Sequence, residues 1–266
     1  MKYGFIGAGN MASAIIKGMT IGTNSFNGKD IYVYNIHRSS AESLSEKCGT
    51  NVCDSAQELI NCCDVIILAV KPNVLPEVIK EVKEKLLEKS PLLISIAAGK
   101  TIEFLQGITD PQIPIVRVMP NINAKVGCST SAFCTSDSVT EEQKDIVKSL
   151  FSTIGSITEL PEKLFSIHGV IGGSAPAFAY LYIDALARAA VKAGMSKPMA
   201  LEMTAQTVLG SAKMVLESGE HPWALIDQVC SPGGTTIEGI CSLEANGFEA
   251  AIHQAFDSVY EKDKKL

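Results

Sequence analysis

The chain has 266 residues, of which 46% are hydrophobic, and carries a formal net charge of −6. This length suits one large domain or two of medium size, and the composition allows a sizeable core. The negative charge argues against nucleic acid or an anionic membrane surface as a partner. No uncharged apolar stretch reaches the roughly 18 residues of a membrane-spanning helix, so we expect no membrane association.

The eight cysteines and four histidines do not indicate a metal site. No C-x-x-C pair occurs, several cysteines lie in apolar runs, and the histidines are far apart in the sequence. We therefore expect reduced thiols, no metal and, because the pattern of a signal peptide is missing, a cytoplasmic location.

The first residues predict a buried strand, a tight turn and a helix. The apolar run 1–6 leads into Gly7-Ala8-Gly9-Asn10-Met11-Ala12, which has the form G-x-G-x-x-A. In such a turn Gly7 permits the sharp bend, Gly9 lets a pyrophosphate approach the backbone, and Ala12 lets the helix pack closely on the strand. The helix N-terminus behind the turn favours phosphate, so this segment predicts dinucleotide binding.

A second strand is predicted at 30–34, and the residues after it bear on the type of cofactor. An NAD-dependent enzyme usually has an acidic residue here, for the ribose hydroxyls. This chain instead has Asn35, which can bond a ribose, followed by Arg38 and Ser39, which can hold a 2′-phosphate. The pattern favours NADP and leaves NAD possible. In the alternative interpretation, Ser39 only caps the next helix, because Ser39 and Glu42 have capping-box spacing.

Further strands and helices alternate as far as residue 160. The apolar run 64–70, which ends at Lys71-Pro72, is typical of a strand buried on both faces of a parallel sheet, and its end is a candidate wall of the cofactor site. Capping patterns begin helices at Ser55, Thr101 and Thr140. Four later strands are predicted at 92–96, 113–119, 127–134 and 155–160, with helices at 74–89 and 140–151. The fold class is therefore α/β, with an N-terminal Rossmann-type doubly wound sheet in a domain of residues 1–160.

After Pro161 the sequence has helical periodicity only, which predicts an all-helical domain of residues 161–266. Helices are expected at 175–194, 198–217, 222–230, 236–246 and 248–262. The first of them is apolar on nearly all sides and must be buried, either by its own domain or by a second subunit. Asp184 and Arg188 are spaced to pair on one face of it.

A second chemically informative stretch is Ser231-Pro232-Gly233-Gly234-Thr235-Thr236, directly before a predicted helix. Proline and two glycines can aim successive N–H groups in one direction, and the hydroxyls add further donors. This arrangement suits one carboxylate, with a hydroxyl left for a neighbouring atom of the ligand. The alternative is an ordinary cap, in which Thr235 or Thr236 satisfies the first N–H groups of the helix.

Six motifs in order resemble those of pyrroline-5-carboxylate reductases. They are Gly7 to Met11, Ala69-Val70-Lys71-Pro72, Ala97-Ala98-Gly99, Met119-Pro120-Asn121, Ser174-Ala175-Pro176-Ala177 and Ser231 to Ile237. The resemblance implies a Rossmann domain followed by a helical domain that dimerises by intertwining, sometimes in a ring of dimers. It also implies the last step of proline biosynthesis, in which NAD(P)H reduces the cyclic imine pyrroline-5-carboxylate to L-proline.

The resemblance assigns roles by position. The cofactor-binding residues would be Ile6, Gly7, Ala8, Gly9, Asn10 and Met11 at the pyrophosphate, Asn35, Arg38 and Ser39 at the adenosine ribose, and Ala69, Val70, Lys71, Pro72 and Ala97 at the nicotinamide. The substrate carboxylate would bind Ser231, Gly234 and Thr235, and Thr236 would bond the ring nitrogen as the catalytic residue. Glu162 and Gln228 would lie on the substrate side. Phe178 stands where the family commonly has tyrosine, so a phenol proton donor is not expected there.

Two other functions remain open at this point. Another two-domain dehydrogenase, of the hydroxyacid or prephenate type, would need a base in the helical domain; His168, Lys192 and Lys197 are present, but none of them lies in a matching motif. A non-catalytic NADP-binding sensor would need no substrate carboxylate site, so the 231–236 turn argues against it.

Overall fold

The computed structural model describes residues 1–21 and 26–264, which form two compact units. The first unit comprises residues 1–173, and the second begins at Ser174. The segment 161–173 thus belongs to the first unit, although its sequence is already helical. The domain boundary that we predict at residue 160 stays a prediction.

The first unit is built on an eight-stranded sheet with the strand order β3-β2-β1-β4-β5-β6-β7-β8. Its strands are β1 (Tyr3–Ile6), β2 (Ile31–Tyr34), β3 (Asn51–Val52), β4 (Val65–Leu68), β5 (Leu92–Ser95), β6 (Ile115–Met119), β7 (Ser129–Thr135) and β8 (Gly155–Glu159). Neighbouring strands are parallel except β6 and β7. This order, which starts in the middle and winds to both sides, confirms the predicted doubly wound sheet.

The central strands are buried on both faces, which explains their continuous apolar sequences. Tyr3 lies beside Val65 and Ile6 beside Leu68 in the parallel register of β1 and β4. All four residues of β1, β4 and β5 are buried. Because every side chain in these strands faces a helix layer, both alternating positions must be apolar.

Helices cover both faces of the sheet. They are α1 (Asn10–Ile21), α2 (Arg38–Cys48), α3 (Ala56–Cys62), α4 (Leu75–Lys89), α5 (Ile102–Ile108), α6 (Glu141–Ser152) and the short α7 (Phe165–His168). Ser55, Thr101 and Thr140 cap α3, α5 and α6 as predicted. The alternative interpretation, in which Ser39 caps α2, is wrong, because this helix begins at Arg38 with His37 at the N-cap. Ser39 therefore lies inside the first turn, where its side chain does not cap the helix.

The second unit is helical throughout its described part. After a π-helical turn at Gly169–Ser174 come α8 (Ala175–Lys192), α9 (Lys197–Ser218), α10 (Pro222–Val229), α11 (Thr235–Ala245) and α12 (Phe248–Asp263). Asp184 pairs with Arg188 as expected, and also with Lys197 at 2.6 Å. Large apolar side chains such as Leu181, Leu209 and Leu216 are exposed. A single chain therefore leaves apolar surface of this unit in water.

The α6 cap provides a test of the first unit. Thr140 accepts a hydrogen bond from the Gln143 N–H, and the Gln143 side chain accepts one from the Thr140 N–H. We expect Thr140→Ala to lower the free energy of unfolding by about 1 kcal/mol, because one N–H of the helix loses its partner. Urea unfolding measures the change. Thr158→Ala, on the exposed edge strand β8, is the control, and an equal loss in both variants would contradict the capping role.

The thiols provide a second test. All eight cysteines are free, and burial raises the pKa of Cys53, Cys63 and Cys134 to about 12. Because the thiolate is the reactive form, these three are expected to resist iodoacetamide at mildly alkaline pH, whereas the exposed Cys128 is expected to react. Peptide mass spectrometry after timed labelling reports both rates. Labelling of Cys63 as fast as Cys128 in the native protein would contradict the expectation.

Candidate functional site

Gly7 lies at the crowded point where three central strands end. Its φ of 109° is in the left-handed region, and a Cβ there would lie 2.5 Å from the Ala69 carbonyl oxygen. The Gly7 N–H donates to the Tyr34 carbonyl at 2.8 Å, and the Ala69 N–H donates to the Ile6 carbonyl at 2.9 Å. Only glycine fits both the torsion and the space, so the turn out of β1 is set by backbone contacts.

Gly9 has a different environment. A Cβ on Gly9 would have no protein atom within 4 Å, so packing within the chain does not require glycine here. Helix α1 begins at the next residue, and Ala12 is buried against the sheet. The backbone at Gly9 is therefore open in front of a helix N-terminus, which fits the approach of a pyrophosphate.

Asn35 connects the glycine turn to the loop after β2. Its side-chain oxygen accepts from the Ala8 N–H at 3.1 Å, and its amide nitrogen donates to the His37 carbonyl at 3.0 Å. The side chain thus holds two loops together. We predict from the sequence that Asn35 binds the ribose; in the structure its carbonyl oxygen keeps a second lone pair for such a bond.

Arg38 does not point toward the glycine turn. Its guanidinium donates to Glu42 at 2.8 Å and forms a second ion pair with Asp54, which follows β3. These two carboxylates compensate its charge. To hold a 2′-phosphate, Arg38 would have to leave both carboxylates. The sequence pattern alone does not reveal these two ion pairs.

The proposed nicotinamide wall is assembled at the carboxyl ends of β4 and β5. Ala69 follows β4, and Ala97, which is buried, follows β5. The Ile96 N–H donates to the Leu68 carbonyl at 3.2 Å, so the two strand ends stay in register. The structure therefore brings Ile6, Ala69 and Ala97 to one edge of the sheet, where ligands bind in this fold.

Glu162 has a structural environment in the first unit. Its Oε1 accepts from Arg117 Nη1 at 2.8 Å and from the Ile102 N–H at 2.9 Å, at the first residue of α5. The Arg117 guanidinium stacks on the Phe165 ring, 4.3 Å from the centroid. Glu162 thus neutralises the Arg117 guanidinium and accepts an N–H at the start of α5, so its carboxylate is explained by a role in the fold. The substrate-side role that the resemblance implies stays a prediction without a contact to support it.

In the second unit, the stretch 231–236 forms a turn with an open helix N-terminus. The Gly234 N–H donates to the Ser231 carbonyl at 2.9 Å, and Gly233 has a φ of 68°, as the third residue of a type II turn requires. Gly234 is the N-cap of α11 and has no side chain to cap it. Within the described chain, neither Thr235 nor Thr236 caps the helix, so the alternative of an ordinary threonine cap is wrong.

Around this turn, the hydroxyl of Ser231 lies over Gly234, where a Cβ would be 2.4 Å from the Ser231 Oγ. Thr235 and Thr236 are exposed in the first turn of α11. The N–H groups at the start of α11 and these hydroxyls give the turn a set of hydrogen-bond donors that suits an anion. Gln228, predicted nearby, donates instead to Glu220.

Two candidate bases of the rival dehydrogenases are engaged elsewhere. His168 is buried, and its Nε2 bonds the Met119 carbonyl oxygen at 3.1 Å. Lys197 pairs with Asp184. The buried Asn121, which the sequence marks only as part of a motif, donates to the Gly172 carbonyl at 3.0 Å. Because His168 and Lys197 are held by these partners, neither is free to act as the base that alcohol oxidation needs.

The contrast between the two glycines gives a test of the cofactor site. We expect Gly9→Ala to keep the melting temperature of the parent, because its Cβ meets no protein atom, but to weaken dinucleotide binding by at least about tenfold, because that methyl occupies the pyrophosphate position. Calorimetric titration and thermal unfolding measure the two effects. Unchanged affinity would show that the phosphates bind elsewhere.

Comparison with known proteins covers the whole chain. A family model described as pyrroline-5-carboxylate reductase dimerisation matches residues 162–266, and one described as NADP oxidoreductase, coenzyme F420-dependent, matches residues 2–99. The dimerisation match includes Glu162–Lys192, a helical run that by length and composition alone could cross a membrane. That match supports assembly of the chain into a homo-oligomer.

Relatives match over nearly their full length. The pyrroline-5-carboxylate reductase of Escherichia coli is 41% identical over 100% of this chain and 98% of its own. The solved structure of the Coxiella burnetii enzyme has a TM-score of 0.94 at 31% identity, covering 99% of this chain and 97% of that one. The Plasmodium falciparum enzyme, solved with NADP bound, has a TM-score of 0.85 at 34% identity, covering 100% and 97%. This chain, with its glycine turn at residues 7–12 and its uncapped helix start at residues 231–236, belongs to the pyrroline-5-carboxylate reductase family.

Proposed function

We propose that this protein reduces pyrroline-5-carboxylate to L-proline with NADPH, the last step of proline biosynthesis. The observation that carries the proposal is the uncapped N-terminus of α11 behind the Ser231–Gly234 turn. A dinucleotide-binding sheet is common to many oxidoreductases, whereas a separate site for one small carboxylate is specific to the substrate. The family membership supports the same activity.

The cofactor is held by backbone in the first unit. We assign the pyrophosphate to the turn from Ile6 to Met11, where Gly9 leaves the backbone accessible and the α1 N-terminus attracts negative charge. The nicotinamide lies against Ala69–Pro72 and Ala97, where the small side chains of Ala69 and Ala97 admit a flat ring. Bound NADPH supplies the hydride for the reaction.

The substrate carboxylate binds the corner at the start of α11. The N–H groups of Gly234 and Thr235 and the hydroxyl of Ser231 donate to its oxygens, and the helix dipole adds a favourable field. Since the chain has a net charge of −6, this attraction is local and does not come from the protein as a whole.

Thr236 positions the reacting ring. Its hydroxyl bonds the ring nitrogen and so fixes the orientation of the imine carbon for hydride transfer. A protonated imine is already electrophilic and needs little general acid catalysis. The main contribution of the protein is therefore orientation, with the nitrogen proton retained on the product.

The protein acts as a homo-oligomer, in keeping with the dimerisation match over residues 162–266. We infer a dimer as the basic unit, in which the exposed apolar side chains of α8 and α9 are covered by a second copy, and a ring of dimers as a possible larger assembly. Its free thiols suit the reducing cytoplasm, where we place it.

Replacing Thr236 tests the reaction and the role of this residue together. Thr236→Ala is expected to lower kcat/KM for the imine roughly 10- to 100-fold, because a hydrogen bond to the reacting ring is lost. Thr236→Ser, which keeps the hydroxyl, should retain most activity. Both are measured as oxidation of NADPH dependent on added pyrroline-5-carboxylate.

Controls separate this role from damage to the fold or the cofactor site. Affinity for NADPH should stay within about twofold in Thr236→Ala, since the residue binds substrate only. Thr158→Ala, a matched change on the surface of the first unit, should behave as the parent. Full activity of Thr236→Ala would remove Thr236 from the mechanism. A parent protein that binds NADPH but oxidises none with the imine would instead favour the sensor.

A further inference from the structure

Two buried side chains hold the loop after β6 against the π-helical turn at Gly169–Ser174. His168, directly before the turn, bonds the Met119 carbonyl oxygen through its Nε2 at 3.1 Å. Asn121, in the loop, donates from its side-chain amide to the Gly172 carbonyl at 3.0 Å. His168 is 7% and Asn121 is 5% exposed. Each segment thus reaches the backbone of the other with one side chain, in surroundings that contain little water and therefore strengthen hydrogen bonds.

Both side chains have a defined direction of hydrogen bonding. A carbonyl oxygen only accepts, so the Nε2 of His168 must carry the proton that it donates to Met119. The side-chain oxygen of Asn121 accepts from the Asn123 N–H at 3.2 Å, which fixes the orientation of its amide. The Asn121 N–H donates in turn to the Ser129 hydroxyl at 3.1 Å. The loop is therefore tied both to the π-helical turn and to the start of β7.

Gly172 is matched to the imidazole of His168. A Cβ at Gly172 would lie 3.0 Å from Cε1 and 3.1 Å from Nε2 of His168, which is closer than ordinary van der Waals contact. Gly172 does not have a positive φ, so its torsion does not call for glycine. The absence of a side chain at 172 is instead explained by the ring of His168, which fills the space beside it.

The end of β6 lies beside the proposed nicotinamide wall. Ser95 of β5 is opposite Arg117 of β6 in their parallel register. Two residues further along these segments are Ala97 and Met119. Met119 therefore ends its strand next to Ala97, at the edge of the sheet where ligands bind in this fold. A displacement of the Met119 backbone would move that boundary of the site.

We propose that His168 and Asn121 are positioning residues for hydride transfer. By joining the Met119–Asn121 loop to the π-helical turn, they keep the end of β6 rigid beside the nicotinamide, so that the ring stays in a reactive orientation toward the imine. His168 exchanges no proton with the substrate and acts through the Met119 backbone. The proposal rests on the proposed function for the place of the nicotinamide and for the reaction.

Single-turnover kinetics test this role in the full-length protein. His168→Leu removes the donor at similar volume and should slow the oxidation of bound NADPH by pyrroline-5-carboxylate about tenfold, because alignment is lost. His168→Gln keeps an N–H near the position of Nε2 and should stay within about threefold of the parent. Calorimetry should find the affinity for NADPH within about twofold of the parent in both variants, because the other cofactor contacts remain.

Gly172→Ala provides a second, smaller change at the same place. Its methyl group pushes the imidazole away from the Met119 carbonyl, so this variant should also slow hydride transfer. In Gly172→Ala/His168→Leu the combined loss should be smaller than the product of the two single losses, because both changes break one contact.

Thr140→Ala is the matched control for lost stability, since it removes one hydrogen bond at the cap of α6. It should keep the parent rate of hydride transfer. The proposal is overturned if His168→Leu and Gly172→Ala oxidise bound NADPH at the parent rate, or if Thr140→Ala is slowed as much as they are.

The fluorescence lifetime of bound NADPH decides the role even if the parent does not reduce the imine. The emission of reduced nicotinamide lasts longer when the protein confines the ring. At saturating NADPH, the lifetime should be shorter in His168→Leu than in the parent and in His168→Gln. A parent that shows this difference without imine reduction would refute the proposed function alone. Equal lifetimes in an inactive parent and in His168→Leu would refute the positioning role as well.

Discussion

The close approach of Gly7 to the Ala69 carbonyl is the constraint on which the cofactor half of this protein depends. Strands β1 and β4 are neighbours in the sheet. The chain must turn sharply after β1, next to the end of β4, to start α1 at the carboxyl edge of the sheet. A side chain at Gly7 would collide with backbone, which cannot move aside as a flexible side chain can. The hydrogen bonds of Gly7 to Tyr34 and of Asn35 to Ala8 then place the loop after β2 against the same turn.

A second constraint acts at the other side of the sheet, where Arg117 and Glu162 are largely withdrawn from water. The Arg117 side chain is 9% exposed and that of Glu162 is 33% exposed. Glu162 also closes the N-terminus of α5, so one carboxylate joins β6, α5 and the segment after β8. Removing Glu162 would leave the Arg117 guanidinium buried without its carboxylate, which destabilises the fold, whereas Glu162 without Arg117 would still reach water.

Anion recognition in this protein is local. The chain is acidic overall, yet its family acts with a phosphate-bearing cofactor and a carboxylate substrate. In the function proposed above, the open helix N-termini of α1 and α11 supply the positive potential for these anions. Because salt and distance screen charges, such short-range groups outweigh the net charge of the whole chain.

The sequence by itself determined the class of fold, nearly every helix and strand, and the turns at residues 7–12 and 231–236, since these follow from periodicity, caps and turn residues that are near each other along the chain. It missed the two-residue strand β3, which has too few residues for a pattern, and the antiparallel pairing of β6 with β7. Only the tertiary structure decided the partners of polar side chains. Arg38 turns to Asp54 and Glu162 turns to Arg117, because such contacts depend on how separate elements pack.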